Sequence, residues 1–337
     1  MASEEFDVVV VGGGLVGASL VHALAGSWLR VAWVDRQPLD RLQRDPRSTA
    51  LAYASHRLLS ELGLWSDLAS SASAITSVHV SQQHHFGSVT LHADDMAVPA
   101  LGYVIGNHAL GSALAARIAE QPQLSIYTPE TVESAAELGT RQAVHLASGQ
   151  RLSAKLVVAA DGVQSTLRDA SGIGLRRQVS FAQHAVVAEI EGGGWQPGRA
   201  WERFCNYGPL ALLPLGADRL SLVYTVPDDQ LDRVLALGDD DFLAEIQARA
   251  GFVGAFESVS KRAAFPLVAV EAEASWRGRV VLLGNAVRTL HPVAGQGFNL
   301  ALRDALTLAE LLNGLPVGDD PAADAVASRY RQLRRLD

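Results

Sequence analysis

The sequence predicts a mixed α/β fold, in which a Rossmann-like unit is interrupted by a second domain made largely of β-strands. Three observations carry this. The apolar run Val8-Val9-Val10-Val11 leads into Gly12-Gly13-Gly14-Leu15-Val16-Gly17 near the start. A second glycine motif, Ala160-Asp161-Gly162, follows another apolar run in the middle. A third segment, Gly284-Asn285-Ala286 followed by His291-Pro292-Val293-Ala294-Gly295-Gln296-Gly297-Phe298-Asn299, lies near the end. Together they describe a nucleotide site with walls from three distant parts of the chain.

Composition bounds the rest. The chain has 337 residues, 48% hydrophobic and 19% charged, which suits a large core in about two domains. A net charge of −8 argues against nucleic acid as a partner, because phosphate binding needs a basic face. A single cysteine, Cys205, excludes an intramolecular disulfide and a cysteine-built metal site, and suits a cytoplasmic protein. The acidic start does not fit a signal peptide. No apolar run is long enough to span a bilayer, so any membrane contact would be peripheral.

Along the chain, Val8–Val11 reads as a strand buried on both faces. The glycine turn opens a small-residue helix to Gly26, and Val31–Val34 is a second buried strand ending at Asp35. Thr49–Leu62 reads as an amphipathic helix with Leu51, Leu58, Leu59 and Leu62 on its apolar face. Ile75–His92 alternates like exposed strands and looks like an excursion into a second sheet. Asn107 reads as the N-cap of a helix carrying Leu110, Leu114 and Ile118. Short strands follow from Leu124 to Val158. Val179–Ala264 alternates again, with helices near Asp229–Leu237 and Asp240–Ala250. Arg279–Leu283 is a buried strand, Gly297–Leu312 a helix, and Asp319–Asp337 begins another. These readings give residues 1–74, 101–178 and 265–337 to the nucleotide domain. They give 75–100 and 179–264 to the second domain.

The first motif has a definite chemistry. Gly12 permits the tight turn, Gly14 lets backbone approach a pyrophosphate, and Gly17 lets helix and strand pack closely. The free N–H groups and positive dipole end of the helix suit a diphosphate. Asp35 lies 18 residues after Gly17, where a carboxylate can bond both ribose hydroxyls. A carboxylate there disfavours a 2′-phosphate, so the site suits FAD or NAD rather than NADP.

The remaining motifs, Asp45-Pro46-Arg47-Ser48-Thr49-Ala50-Leu51, Asp161-Gly162-x-x-Ser165-x-x-Arg168 and the Gly284-to-Asn299 segment, resemble the class A flavin-dependent aromatic monooxygenases. The resemblance covers nearly the whole chain. Within that group, Thr289-Leu290-His291-Pro292, the run Ala294–Leu300 and Arg303-Asp304 look most like the ubiquinone-biosynthesis hydroxylases, closest to the 2-polyprenyl-6-methoxyphenol branch.

That resemblance implies a para-hydroxybenzoate-hydroxylase-like architecture, with an FAD-binding domain and a β-sheet substrate domain. It implies FAD as bound cofactor and NAD(P)H as transient co-substrate. Gly12, Gly14, Gly17, Asp35 and Arg36 would hold the ADP half, and Arg47 would reach the pyrophosphate or ribose. Asn107 would make a polar FAD contact, and Asp161-Gly162 would bring backbone against the FAD. Asn285 stands where most class A members have aspartate, which removes a charge but keeps an amide that can bond a hydroxyl. Gly295, Gln296, Gly297, Phe298 and Asn299 would place a helix start at the electron-rich edge of the flavin.

The implied chemistry is reduction of FAD by NAD(P)H, oxygen addition at C4a, and transfer of OH from the hydroperoxide to a phenol. The cofactor carries the difficult step, and the chain shows no convincing triad. His291 is a weak candidate base, better read as shaping the turn before Pro292. Phe204, Leu213, Pro214, Tyr224, Phe265 and Pro266 are candidate walls of a substrate pocket.

The partners implied are a hydrophobic aromatic substrate and a peripheral membrane or quinone-synthesis complex contact, with a homo-oligomer left open. Three alternatives stand beside this: a related flavoprotein acting on another aromatic or prenyl substrate, an NAD-dependent dehydrogenase, and a non-catalytic scaffold. His79, His84, His85 and His92 lack the spacing and companion ligands of a metal site. Arg329, Arg331, Arg334 and Arg335 read as a solvated helix face. Relatives of this kind continue past that helix, so the sequence reads as truncated or unusually short, with FAD retention, membrane association and activity at stake.

Overall fold

The computed structural model describes residues 3–335 apart from Phe252 and Pro292; the expected turn at Pro292 and the end of the last expected helix, Leu336 and Asp337, lie outside the described residues. In chain order the first elements are β1 (Glu4–Val11), α1 (Leu15–Ala23), β2 (Val31–Val34), β3 (Ser48–Ala52), α2 (Tyr53–Glu61) and α3 (Trp65–Leu68). Then come β4 (Ala72–Ile75), β5 (Ser77–Gln82), β6 (Ser88–His92), β7 (Gly102–Gly106) and α4 (Asn107–Ala119). The middle holds β8 (Ser125–Tyr127), β9 (Val132–Leu138), β10 (Arg141–Leu146), β11 (Arg151–Ala159) and α5 (Thr166–Ala170). The long β12 (Leu175–Gly193) is followed by β13 (Arg199–Cys205), β14 (Gly208–Pro214), β15 (Arg219–Pro227), α6 (Asp228–Ala236) and α7 (Asp239–Ala250). The last are β16 (Ala255–Val259), β17 (Ala263–Ala272), β18 (Trp276–Arg277), β19 (Val280–Leu282), β20 (Arg288–Thr289), α8 (Gln296–Asn313) and α9 (Asp324–Arg334).

One sheet runs β18-β19-β11-β1-β2-β8, with β10 and β9 added antiparallel beside β11. The β19-β11-β1-β2-β8 pairs are parallel. Its central strands are buried on both faces, which is why Val8–Val11 and Leu156–Ala159 read as unbroken apolar runs. Helices α1, α4 and α8 pack on one side around Leu20, Leu110, Leu114, Leu302 and Leu308.

A second sheet runs β20-β17-β12-β15-β14-β13-β5-β6. Here side chains alternate between faces. Trp201, Leu210, Leu212, Leu222 and Tyr224 pack with Phe242 and Ile246 of α7. Ala200 and Leu213 lie in a different cluster, with Ile75, Val104 and Ala50. Those three belong to a small antiparallel sheet, β3-β7-β4. Ser48 Oγ lies 2.5 Å from Ser221 Oγ, which ties the small sheet to the second one.

Two local expectations are corrected. Residues 48–52 form a strand, and the helix begins only at Tyr53. Tertiary contacts override the apolar periodicity there: β3 pairs with β7, and the Asn299 side chain takes the Ala52 N–H and the Ala50 carbonyl at 2.8 Å each. Asn107 is the first residue of α4 rather than its N-cap, a position held by Gly106 with no capping side chain. At the far end Arg334 does not lie on a solvated face. Its Nε donates to the buried Asp304 at 2.6 Å, beside Arg288, and this holds α9 onto α8.

Candidate functional site: a groove walled by three remote segments

The three glycine motifs meet. Gly12 has φ +118°, and a Cβ there would stand 2.2 Å from the Ala160 carbonyl oxygen of the second motif. A Cβ on Gly17 would stand 2.1 Å from the Gly12 oxygen, so α1 packs directly on the turn below it. Gly284 of the third motif lies against Val16, and the Leu283 N–H donates to the Ala159 oxygen at 2.8 Å. Arg168, 4% exposed, donates to the Val163 carbonyl at 2.9 Å and reaches the Ala286 carbonyl at 3.5 Å, linking second and third motifs.

Between them lies a groove of about 610 Å³, within the range of roughly 300–1,000 Å³ found for cofactor and small-molecule sites. Gly12, Gly14, Asp35, Arg36, Arg47, Asn107, Asp161, Gly162, Asn285, Gly297, Phe298 and Phe265 all line it. Gly17, Gly295, Gln296, Asn299 and His291 do not.

Where a Cβ would fall at Gly14, Gly162 or Gly297 the space is open to 4 Å. Neither α1 nor α8 has a side-chain cap hydrogen bond at its start. Asp161 Oδ1 is buried without a partner, and burial pushes its carboxyl up. These are the features a bound dinucleotide needs: backbone reachable at the surface, donors at helix starts, and a polar atom awaiting a partner.

Asp35 sits at the end of β2, but it is not idle. One oxygen accepts from the Gly13 N–H and the other from the Gln37 N–H at 2.7 Å. Each carboxylate oxygen has two acceptor positions, so one on each remains for a ribose hydroxyl. Gly13 is therefore part of the site as well, since a Cβ there would meet the Asp35 carboxyl at 2.5 Å.

Asp45 also lines the groove, although spacing did not single it out. Its carboxylate accepts from Arg47 Nε at 2.8 Å and from Asn107 Nδ2 at 3.0 Å. Burial pushes the Asp45 carboxyl up, but the hydrogen bonds from Arg47 and Asn107 outweigh it and hold it low. Arg47 also stacks over Phe265 at 5.0 Å, which joins the loop to β17. Asn107, 4% exposed, spends its oxygen on Thr49 Oγ1 at 2.6 Å. Its side chain is a strut that shapes the 45–49 loop. The available signal was the acid two residues before Arg47, in reach of its guanidinium.

Asn299 is likewise a strut. It is 2% exposed, and its amide ties the α8 start to β3 and to the Gly295 carbonyl at 2.8 Å. Gly295 takes the left-handed conformation, φ +59°, 3.3 Å from the Ala50 methyl if it carried a Cβ. His291 stacks edge-on against Phe181 at 5.0 Å and accepts from the Val293 N–H at 3.3 Å; burial lowers its pKa.

The expected pocket walls divide by strand parity. Phe204, Leu213 and Phe265 lie on the sheet face turned to the groove and the small sheet. Pro214 and Tyr224 lie on the other face, and the Tyr224 hydroxyl donates to Glu245 at 2.9 Å. Pro266 also turns away, because it follows Phe265 by one residue. These three are corrected as wall residues.

Known proteins are similar to this chain over its full length. The family described as FAD binding domain matches residues 5–335. The ubiquinone hydroxylase UbiL of Rhodospirillum rubrum is 36% identical, covering 100% of this chain and 79% of the relative. The 3-demethoxyubiquinol 3-hydroxylase of Escherichia coli is 28% identical, covering 100% and 87%. The solved structure of p-nitrophenol 4-monooxygenase from Pseudomonas putida superposes with a TM-score of 0.82 at 20% identity, over 98% of this chain and 85% of that one.

Proposed function

The chain belongs to the FAD binding domain family and is an FAD-dependent monooxygenase, and from that premise we propose that it hydroxylates a polyprenylated phenol in ubiquinone biosynthesis, of the 2-polyprenyl-6-methoxyphenol type. The observation that carries this reading is the convergence of three motifs on one groove, in a chain 36% identical to a ubiquinone hydroxylase. FAD, when bound, supplies electron transfer and oxygen activation, with NAD(P)H as donor.

The chain's own residues supply placement. Gly12, Gly14 and the α1 start would hold the diphosphate. The two free acceptor positions of Asp35 would take the adenosine ribose. Asp45 and Asn107 hold Arg47 over the groove. Gly297 and Phe298, at the start of α8, would lie along the flavin edge, where the helix dipole favours negative charge. The face of the second sheet carrying Leu213 and Phe265 would close the site against water. Because the substrate is apolar, contact with a membrane surface or a quinone-synthesis partner is part of this proposal. Among the described residues no helix is long and apolar enough to cross a membrane.

Turnover with NAD(P)H, oxygen and prenylated methoxyphenols, with mass analysis for one added oxygen, tests the reaction. The quinone precursor that accumulates in a deletion strain tests the step. A precursor already carrying every ring oxygen would refute a hydroxylase role.

A further inference from the structure

The second sheet holds one acidic side chain that no groove contact explains. Glu202 lies mid-strand on β13, between Trp201 and Arg203. Trp201 packs into the core beneath α7, whereas Ala200 belongs to the cluster with Ile75, Val104 and Leu215. Successive strand residues point to opposite faces, so Glu202 shares the face of Ala200. Register sets Val80 on one side of it and Ala211 on the other, with Val223 beyond Ala211.

A chain of contacts leads from that face to the start of α8. Leu213, on the strand next to Glu202, packs in the cluster that also takes Ala50. Ala50 stands against Gly295, the residue that opens α8. Glu202 therefore lies on the sheet face that, through Leu213 and Ala50, adjoins the helix tip bordering the groove.

The surroundings are apolar. Val80, Ala211, Ala200 and Phe204 flank it on that face. Arg203, Arg199 and His79 lie on the opposite face. Strands β3 and β4 bring no ionisable side chain, and β7 brings only Tyr103, which packs on His56 and Trp65. Arg47 is already paired with Asp45. Burial alone pushes the Glu202 carboxyl up to about 7. An acid left in so costly a place has a use when a ligand brings the missing partner.

We propose that Glu202 accepts the proton of a phenolic hydroxyl bound between this sheet face and the start of α8. This rests on the hydroxylase reading above. The phenol O–H bond breaks, its proton passes to a Glu202 oxygen, and the electron pair stays on the phenol oxygen. The ring carbons ortho and para to it become richer in electrons, as an electrophilic oxygen transfer requires. Afterwards Glu202 returns the proton to that oxygen while the oxygenated carbon loses its own proton to solvent. The neutral acid formed midway is the form an apolar face favours.

The test uses the FAD-loaded enzyme, NADPH, oxygen and a methoxyphenol carrying a geranyl tail. Glu202→Gln is expected to lower the rate of oxygenated product about 100-fold, the scale of general-base catalysis. Its flavin content and its binding of the probe, read by flavin fluorescence, are expected to stay as in the wild type. The wild-type rate should fall as pH drops below about 7, where the carboxylate is protonated. That limb should vanish in Glu202→Gln and persist in Glu202→Asp, a change that a packing role would not produce. A Gln variant with wild-type turnover, or with the limb intact, overturns the role of Glu202 alone. A flavin-loaded wild type that oxygenates no phenol overturns the hydroxylase reading and this proposal with it.

Discussion

The groove and the sheet opposite it are made of different materials. The groove exposes backbone at several points: Gly12, Gly14, Gly162 and Gly297 present main chain where other residues would present side chains. The sheet face is built of ordinary side chains, among them Leu213, Ala211, Val223 and the acid Glu202. Backbone can be reached by a cofactor of fixed shape, and almost any added atom disturbs it. A side-chain wall can be repapered for another substrate without touching the frame. On the proposed reading, cofactor and substrate specificity would be held in separate parts of one molecule.

The largest expected effect is on the frame. Gly17→Ala sets a methyl 2.1 Å from the Gly12 oxygen. Neither atom can yield, so a loss of about 4 kcal/mol or more is expected. Recovery of soluble, flavin-loaded protein would measure it, and a wild-type yield would break the distinction drawn here. Next comes Gly14→Val, at a position with open space around it. The fold should persist with an unchanged melting temperature, while FAD affinity falls about 100-fold, equal to roughly 3 kcal/mol.

Asn107→Ala removes the partner of both Asp45 and Thr49. It should cost about 2 kcal/mol in denaturant unfolding, and FAD binding should weaken with it as Arg47 loses its support. The smallest effect belongs to the sheet face. The Glu202 carboxyl titrates at about 7 when folded, against an ordinary 4.5. Between those values the folded chain binds more protons than the unfolded one, so stability falls as pH rises through that window. Glu202→Gln escapes this loss. It should match the wild type at pH 4.5 and exceed it by on the order of 1 kcal/mol at pH 8, allowing for partial exposure. Melting curves at the two pH values read the difference; identical offsets at both would remove the desolvated acid from the account.

The same contrast explains what could be read from the chain. Gly12, Gly14, Gly17 and Asp35 are legible because strand, turn, helix and acid must recur at a fixed spacing. The buried strand Val8–Val11 is legible because burial on both faces leaves no polar position. Tyr224, Pro214 and Pro266 were misjudged as walls, since alternation reveals two faces without saying which one meets the cofactor. Residues 48–52 looked helical because the partners that hold them extended are remote: β7, about fifty residues on, and Asn299, 247 residues beyond Ala52. Asn107 and Asn299 read as cofactor contacts, yet both spend their amides on backbone and side chains within the protein. Glu202 has no local signature. Its meaning depends on three neighbouring strands and a helix tip from distant sequence.

Titration of flavin-stripped protein with FAD, followed by quenching of flavin fluorescence, tests the central claim most directly. One equivalent is expected to bind, and Gly14→Val and Gly297→Val are each expected to abolish tight binding while leaving the fold intact. Saturation that fails in the wild type, or that both variants leave undisturbed, would contradict a groove in which the first and third motifs clasp one cofactor.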